Sequence, residues 1–233
     1  MISKTIIKPS LILTAVVFVS SLALSHVYNI TAPSISKQKA EREREALFVV
    51  LPGFTVDEEK IDERDGSMFH YWVGEKKNED GTVSAAYAFI TENPGYSGEI
   101  RSMVGLSGDG HILGIYIIEQ SETPGLGARA IESLDDNTIL DVIRNIINGK
   151  KTESNNNYPW FQRQFAGLNV KEKISIEKKG DWTPEKGQAL LDGNAITAIT
   201  GATITGRAVI KSIEQGYARL SSILEKKKES EVK

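Results

Sequence analysis

The N-terminal part of the chain is an apolar run without charged side chains. No Asp, Glu, Lys or Arg occurs between residues 9 and 36, and aliphatic residues dominate Ser10–Ile30. A helix over Ser10–Ile30 would be roughly 31 Å long, about the thickness of a bilayer's hydrocarbon core. We therefore predict a membrane anchor within residues 1–35. A cleaved signal peptide is the alternative, because residues 23–25 (Ala-Leu-Ser) offer a small-residue cleavage site.

Charged and apolar positions are mixed in residues 36–53, which predicts a charged juxtamembrane helix with a solvated face. Pro33 is expected to end or kink the preceding span, because proline lacks the amide proton that a helix interior needs. Pro52-Gly53 is expected to stop the charged helix.

Residues 54–224 carry the mixed periodicities of one α+β domain. Alternating apolar positions predict a hairpin of Phe69–Val73 with Val83–Ile90, and a second of Arg101–Leu106 with His111–Ile118. The last of these strands is apolar on both faces. We therefore expect it to be central and covered on both sides.

Helical and polar patterns fill the rest of the domain. Apolar spacing predicts helices over Thr138–Ile147 and Ala208–Leu224, and alternation predicts a short strand at Lys173–Glu177. Lys150–Tyr158 contains three consecutive asparagines and is predicted to be an exposed loop. Residues 225–233 are expected to form a charged, fraying tail.

Composition excludes several kinds of chemistry. The chain contains no cysteine, which rules out disulfides, thiolate metal sites, Cys-ligated iron–sulfur clusters and a Cys nucleophile. Its three histidines are scattered, so we predict no metal site. The 28 basic and 31 acidic residues give a net charge of −3, which provides no basic surface for nucleic acid.

A compact loop follows the most apolar strand. It consists of Glu122, Thr123, Pro124, Gly125, Leu126 and Gly127. Two glycines and a proline fix an irregular backbone that can approach a ligand closely. The alternative is a plain turn.

A second segment opens the last long helix. It consists of Thr200, Gly201, Ala202 and Thr203. Small and hydroxyl residues before a helix leave N–H groups at its positive end, where a phosphate can bind. An ordinary threonine N-cap is the alternative. The segment is not a Walker loop, because no lysine follows the glycine at the required spacing.

Together and in this order, the two segments resemble the FMN-binding domain family, and within it the G subunits of Rnf-type electron-transport complexes. The resemblance extends to the anchor, to Gly95–Ile100 and to Trp160–Gly167. The C subunit of sodium-pumping NADH:quinone oxidoreductases, which has the same domain, is the nearest alternative. A free-standing membrane-tethered flavin reductase and a scaffold without cofactor are more distant ones.

The resemblance implies that FMN is joined through its phosphate to the hydroxyl of Thr203, by a separate flavin transferase that uses FAD and a metal ion. The loop Glu122–Gly127 follows the apolar strand and is rigid, so we expect it to offer backbone N–H groups to the flavin ring, with Glu122 either bonding the ring edge or capping the loop. Trp160 is a further candidate because aromatic faces stack on planar rings, and a place in the core is the alternative. Two positions depart from the family pattern. Thr197 stands where aspartate is usual, and Gly206 stands where serine is common.

The resemblance also implies a role and a place. The chain would be a single-pass protein of the cell membrane with its FMN-binding α+β domain on the extracytoplasmic side. It would relay electrons among the flavin and iron–sulfur subunits of a complex. That complex would couple electron flow between reduced ferredoxin and NAD to the translocation of Na⁺ or H⁺. No side chain is assigned a catalytic role, and the subunit is not expected to be catalytically complete alone. The stretch 128–158 is longer than the family norm and is expected to form a partner-contact or species-specific surface.

Overall fold

The computed structural model describes residues 4–64, 66–78, 80–132, 158–177 and 183–231. The predicted helix Thr138–Ile147 and nearly all of the predicted loop Lys150–Tyr158 lie outside these residues. The chain divides into two compact units, Met1–Arg44 and Glu45–Lys233.

The first element, α1, is one continuous helix from Lys4 to Val50 that contains both Pro9 and Pro33. Pro33 therefore does not end the helix, and the charged stretch after it continues the same helix; the alternative expectation, a kink at Pro33, stays a prediction. The hydroxyl of Thr31 donates to the carbonyls of Val27 (3.0 Å) and Tyr28 (3.2 Å). These bonds lie in the turn before Pro33, and the carbonyl that loses its helical partner to the proline is that of Asn29.

Within the described part of the chain, α1 holds one segment long and apolar enough to cross a membrane. Its large apolar side chains, such as Leu11, Phe18 and Leu24, are exposed rather than packed in a core. An exposed apolar surface of this length is typical of a helix that spans a membrane. A signal sequence near the N-terminus has the same composition.

An antiparallel sheet forms the centre of the second unit. Its strands are β1 (Thr55–Val56), β2 (Lys60–Arg64), β3 (Ser67–Lys77), β4 (Val83–Pro94), β5 (Glu99–Ser107) and β6 (Ile112–Glu119). The order is β1-β3-β4-β5-β6, and β2 also pairs with β3. Both predicted hairpins are confirmed, as the β3–β4 and β5–β6 pairs.

The strand β6 lies at the edge of this sheet, so the expectation that it is central is wrong, whereas the expectation that both of its faces are covered is confirmed. It is apolar on both faces because Ile115 and Ile118 are buried in different core clusters, and a later segment covers its free edge. Ile112 exchanges backbone hydrogen bonds with Gly167 (2.7 Å) and Leu168 (2.8 Å), and the side chain of Gln162 accepts a hydrogen bond from the amide of Ile117 (3.3 Å). The edge is therefore protected from pairing with another chain.

The remaining elements follow the sheet along the chain. They are a 3₁₀ turn (Gly127–Ile131), α2 (Trp160–Arg163), β7 (Ser175–Glu177), α3 (Pro184–Asp192), β8 (Ala195–Thr197) and α4 (Thr203–Glu231). The strand predicted at Lys173–Glu177 is confirmed as β7, which pairs in parallel with β8. The tail expected to fray from residue 225 is helical to Glu231, because it lacks proline and glycine and is rich in Glu and Lys, which favour helices.

The helix α4 covers one face of the sheet, and the last turn of α1 lies on the other. Val209, Ile213 and Leu220 of α4 are buried with the sheet's aromatic residues, as their spacing predicts. A Cβ at Gly216 would collide with the ring of Phe89, so the helix lies directly on β4. Residues on the opposite face of the sheet, such as Trp72 and Met103, are buried in one cluster with Val50 of α1.

Two polar side chains of β4 fix the position of α4 along the sheet. Thr91 donates to the carbonyl of Ser212 (2.8 Å), and Asn93 donates to the carbonyl of Ala208 (3.2 Å). Both side chains are buried, so these hydrogen bonds specify one register of the helix on the strand. The N-terminus of α4 is thereby held at the end of the sheet where β6 finishes.

Candidate functional site

A cavity of about 440 Å³ lies where the loop after β6 meets the first turn of α4. Its volume falls within the range of roughly 300–1,000 Å³ that is typical of small-molecule sites. The walls come from three segments of the chain. The lining residues are Tyr96, Glu122, Thr123, Leu126, Gly127, Gly201, Ala202, Thr203, Ile204 and Thr205.

Local hydrogen bonds fix the loop wall. The amides of Leu126 (3.1 Å) and Ala128 (3.2 Å) both donate to the carbonyl of Thr123, which turns the chain back on itself. Gly125 has a φ of +75°, a conformation that other residues rarely adopt. The loop thus enters the 3₁₀ turn with its shape set by its own backbone.

The helix wall begins with another left-handed glycine. Gly201 has a φ of +78°, and a Cβ there would lie 3.0 Å from Leu126, so the two walls approach closely. The amide of Ala202 donates to the carbonyl of Ile199 (2.9 Å), and α4 starts at the next residue, Thr203. The first-turn N–H groups and the partly buried Thr203 hydroxyl therefore meet at the positive end of a 29-residue helix.

The carboxylate of Glu122 connects the walls. Its side chain is only 6% exposed. One oxygen, Oε1, accepts hydrogen bonds from the amides of Tyr96 (2.7 Å) and Ser97 (3.1 Å). The other, Oε2, accepts one from the hydroxyl of Thr205 in α4 (2.6 Å). The carboxylate thus joins the β4–β5 turn, the loop and the helix.

The family model for the FMN-binding domain matches residues 95–218, a range that includes every residue lining the cavity. The chain belongs to the FMN-binding domain family. It is 29% identical over 231 residues to the G subunit of the Na(+)-translocating ferredoxin:NAD(+) oxidoreductase complex of Acetobacterium woodii, covering 94% of each chain. It is 31% identical over 194 residues to the G subunit of the ion-translocating oxidoreductase complex of Haemophilus influenzae, covering 81% of this chain and 77% of that one.

Among solved structures, the chain is similar to the C subunit of the Na(+)-translocating NADH-quinone reductase from Parabacteroides distasonis. The identity is 17% and the TM-score 0.47, with 80% of this chain and 94% of that chain covered.

The residues of the cavity fit FMN in this FMN-binding domain. Leu126, Ala202 and Ile204 offer apolar surface of the kind that a flat aromatic ring needs. The first turn of α4 offers N–H groups to a phosphate, and that turn contains no acidic side chain that would repel one. Thr203 adds a hydroxyl at the same end.

The structure brings most of the predicted site residues together. Of the loop, Glu122, Thr123, Leu126 and Gly127 line the cavity, and they face Gly201, Ala202 and Thr203 of the helix wall. The cavity lining does not include Pro124, Gly125 or Thr200, which are exposed. Nor does it include Trp160, which is 2% exposed and packs edge-on against Phe161 in the core.

Sequence reasoning missed three lining residues and two buried amides. Tyr96 lies in the segment Gly95–Ile100 that carries part of the family resemblance, but nothing in the sequence there assigns it a role. Ile204 and Thr205 directly follow the segment Thr200–Thr203. Gln162 donates to the carbonyl of Ala130 (3.0 Å), and Gln164 accepts from the amide of Thr197 (2.7 Å). Glutamine is mostly a surface residue, so no sequence pattern points to these roles.

The two departures from the family pattern have structural settings. Thr197 is buried in β8, where the side chain of Gln164 bonds to its backbone. Gly206 has little space, because a Cβ there would lie 2.9 Å from Cδ1 of Ile176. A serine at this position would therefore require Ile176 to shift.

Proposed function

We propose that this chain is the FMN-bearing G subunit of an Rnf-type ion-translocating oxidoreductase and that it passes electrons between other subunits. The observation that carries the proposal is the position of Thr203, which opens a long helix and faces a cavity of suitable size inside an FMN-binding domain. The names of the two relatives and the extent of their similarity support this assignment over the C subunit of a quinone reductase or a free-standing flavin reductase.

We propose that FMN is held through a phosphoester to Thr203. The Thr203 hydroxyl oxygen attacks the phosphorus of the FMN half of FAD, AMP leaves, and the hydroxyl proton passes to the flavin transferase that supplies the FAD and a metal ion. A threonine hydroxyl is a weak nucleophile without a base, so the chain needs that enzyme. The remaining negative charge of the ester lies at the N-terminus of α4, where it is stabilised.

FMN when bound supplies the electron-transfer chemistry, and the chain supplies attachment, orientation and surroundings. The helix wall fixes the phosphate end, while Leu126 and Ile204 provide apolar walls for the ring. A bound flavin that relays electrons needs one donor and one acceptor, so the subunit depends on partners that deliver and remove electrons. Those partners are the flavin and iron–sulfur subunits of the complex.

The apolar segment of α1 anchors the chain in lipid, and the FMN-binding domain lies outside the cytoplasm. Covalent attachment suits that location, because a lost cofactor could not be replaced from a cytoplasmic pool. The charges after the span do not favour this orientation by themselves, but a long C-terminal domain is exported largely regardless of such charges.

The proposal is tested in membranes that contain the whole complex. Thr203→Val should abolish ferredoxin-dependent NAD reduction and the flavin fluorescence of this subunit on a denaturing gel. Thr203→Ser keeps the hydroxyl and should retain both. Full activity in the Thr203→Val membranes, with the other subunits present in normal amounts, would contradict the proposed role.

A further inference from the structure

The carboxylate of Glu122 is enclosed by groups of the chain itself. Its described partners are two amides and one hydroxyl, so it acts only as an acceptor, and a carboxylate has about four acceptor positions. Three are thus occupied before any ligand binds. This arrangement suits a side chain that assembles the site better than one that binds the flavin ring.

Two glycines leave room for this carboxylate. A Cβ at Gly95 would collide with Oε1 of Glu122, and a Cβ at Gly127 would collide with Oε2. A Cβ at Gly127 would also lie 2.6 Å from the hydroxyl of Thr205. The backbones of the turn and the loop therefore close around the carboxylate from both sides.

The hydrogen bond from Thr205 also sets the rotation of the first turn of α4. Residues two apart on a helix point in directions about 200° apart. Both residues line the cavity, but Thr205 is 1% exposed and its hydroxyl is directed at Glu122, whereas Thr203 is partly exposed. The Thr205 hydroxyl is committed to an internal hydrogen bond, and Thr203 is the more accessible residue of the two.

We infer that Glu122 is a positioning residue for flavin attachment. By holding Thr205 it fixes the first turn of α4 so that the Thr203 hydroxyl is presented to the transferase. The inference rests on the proposed function, since it concerns how Thr203 receives its flavin. It assigns Glu122 no contact with the reacting atoms.

The test measures how fast the full-length chain, purified in detergent without flavin, takes up FMN from FAD, Mg²⁺ and a bacterial flavin transferase. Intact-protein and peptide mass spectra follow the modification at Thr203. Thr205→Val removes the hydroxyl without changing the side-chain shape and should slow attachment about tenfold or more, since small misplacements of a reacting group are costly. Glu122→Ala should slow it similarly, and the double variant should be no slower than the slower single variant.

Two further variants separate positioning from general stability. Thr91→Val removes a buried hydroxyl bond to the same helix at Ser212, while Asn93 still holds the register of α4 at Ala208, nearer its N-terminus. The attachment rate should therefore be unchanged. Glu122→Gln should restore nearly the wild-type rate, because its amide oxygen can accept from Tyr96 and Ser97 while its NH₂ group faces the hydroxyl oxygen of Thr205 and donates to it. If Glu122→Ala does not accumulate, Thr205→Val and Glu122→Gln carry the test.

The inference is overturned by a wild-type rate in Thr205→Val, by equal slowing in Thr91→Val, or by a Glu122→Gln variant that is as slow as Thr205→Val. A wild-type chain that takes up no flavin at Thr203 would instead contradict the proposed function, whatever the variants do.

Discussion

Gly127 is needed at the site because its neighbours leave no room for a side chain. Gly127→Ala would push a methyl group against Glu122 and Thr205. We expect a loss of about 1–3 kcal/mol in the free energy of unfolding, together with reduced flavin content. Urea unfolding and the ratio of flavin to protein absorbance measure the two effects.

The matched control is Gly66→Ala in the β2–β3 turn. Gly66 has a φ of +73° and no atom near its would-be Cβ, so alanine costs only backbone strain, about 1 kcal/mol. Its flavin content should equal that of the wild type. A flavin content in Gly127→Ala equal to that of the wild type would show that Gly127 is not needed to keep the Glu122 carboxylate in place.

Local motifs made seven of the ten residues that line the cavity predictable from sequence. The loop and the box are recognisable as short strings, and both line the cavity. The partners of Glu122 are not predictable in this way, because they lie 25 to 83 residues away along the chain. Trp160 was a reasonable candidate for a ring contact, but an aromatic residue beside other apolar ones is equally suited to the core, where the structure places it.

At the scale of elements, the short helix α2 connects the edge of β6 to the 3₁₀ turn through the side chain of Gln162. Gln162 accepts from Ile117 at the edge of β6 and donates to Ala130 in the turn that ends the loop. We expect Gln162→Ala to lower the free energy of unfolding by about 2–4 kcal/mol, since it leaves buried polar groups without partners. Gln188→Ala on exposed α3 is the control and should cost less than about 0.5 kcal/mol in urea unfolding. A similar small cost for both variants would contradict this role.

Tyr158, which bonds to Ile115 at the edge of β6, makes the free energy of unfolding fall at alkaline pH. Burial raises the pKa of Tyr158, although its hydrogen bond to Ile115 acts in the opposite direction. A raised folded-state pKa favours the protonated form, so the stabilisation is complete below about pH 10 and is lost as pH rises above it. Tyr158→Phe should therefore lose less stability than the wild type between about pH 8 and pH 11 in urea unfolding. Parallel losses in both proteins would contradict the assignment.

Periodicity predicted the existence of most elements better than their places. Both hairpins and the apolar stripe of α4 follow from spacing alone. The edge position of β6 does not, because an edge strand covered by a later segment has the same apolar pattern as a central one. Pro33 is a similar case. A proline removes one hydrogen bond from a helix interior, but this loss does not by itself determine where a long helix ends.

At the scale of the whole molecule, the proposed function requires the domain to lie outside the cytoplasm. The chain lacks cysteine, so single cysteines report its orientation. Glu229→Cys, at an exposed position of α4, should react with a membrane-impermeant maleimide in intact cells, with the outer membrane permeabilised where one is present. Ser3→Cys, before the apolar segment, should react only after the inner membrane is broken. The reverse pattern would place the domain in the cytoplasm.

The central claim is that this chain carries one FMN on Thr203, and the mass of the peptide containing Thr203 tests it most directly. The protein should be purified from membranes of cells that also make the flavin transferase. We predict a peptide heavier by one FMN less one water, with fragment ions that place the addition on Thr203. An unmodified Thr203 peptide from such membranes, or flavin on a different residue, would contradict it.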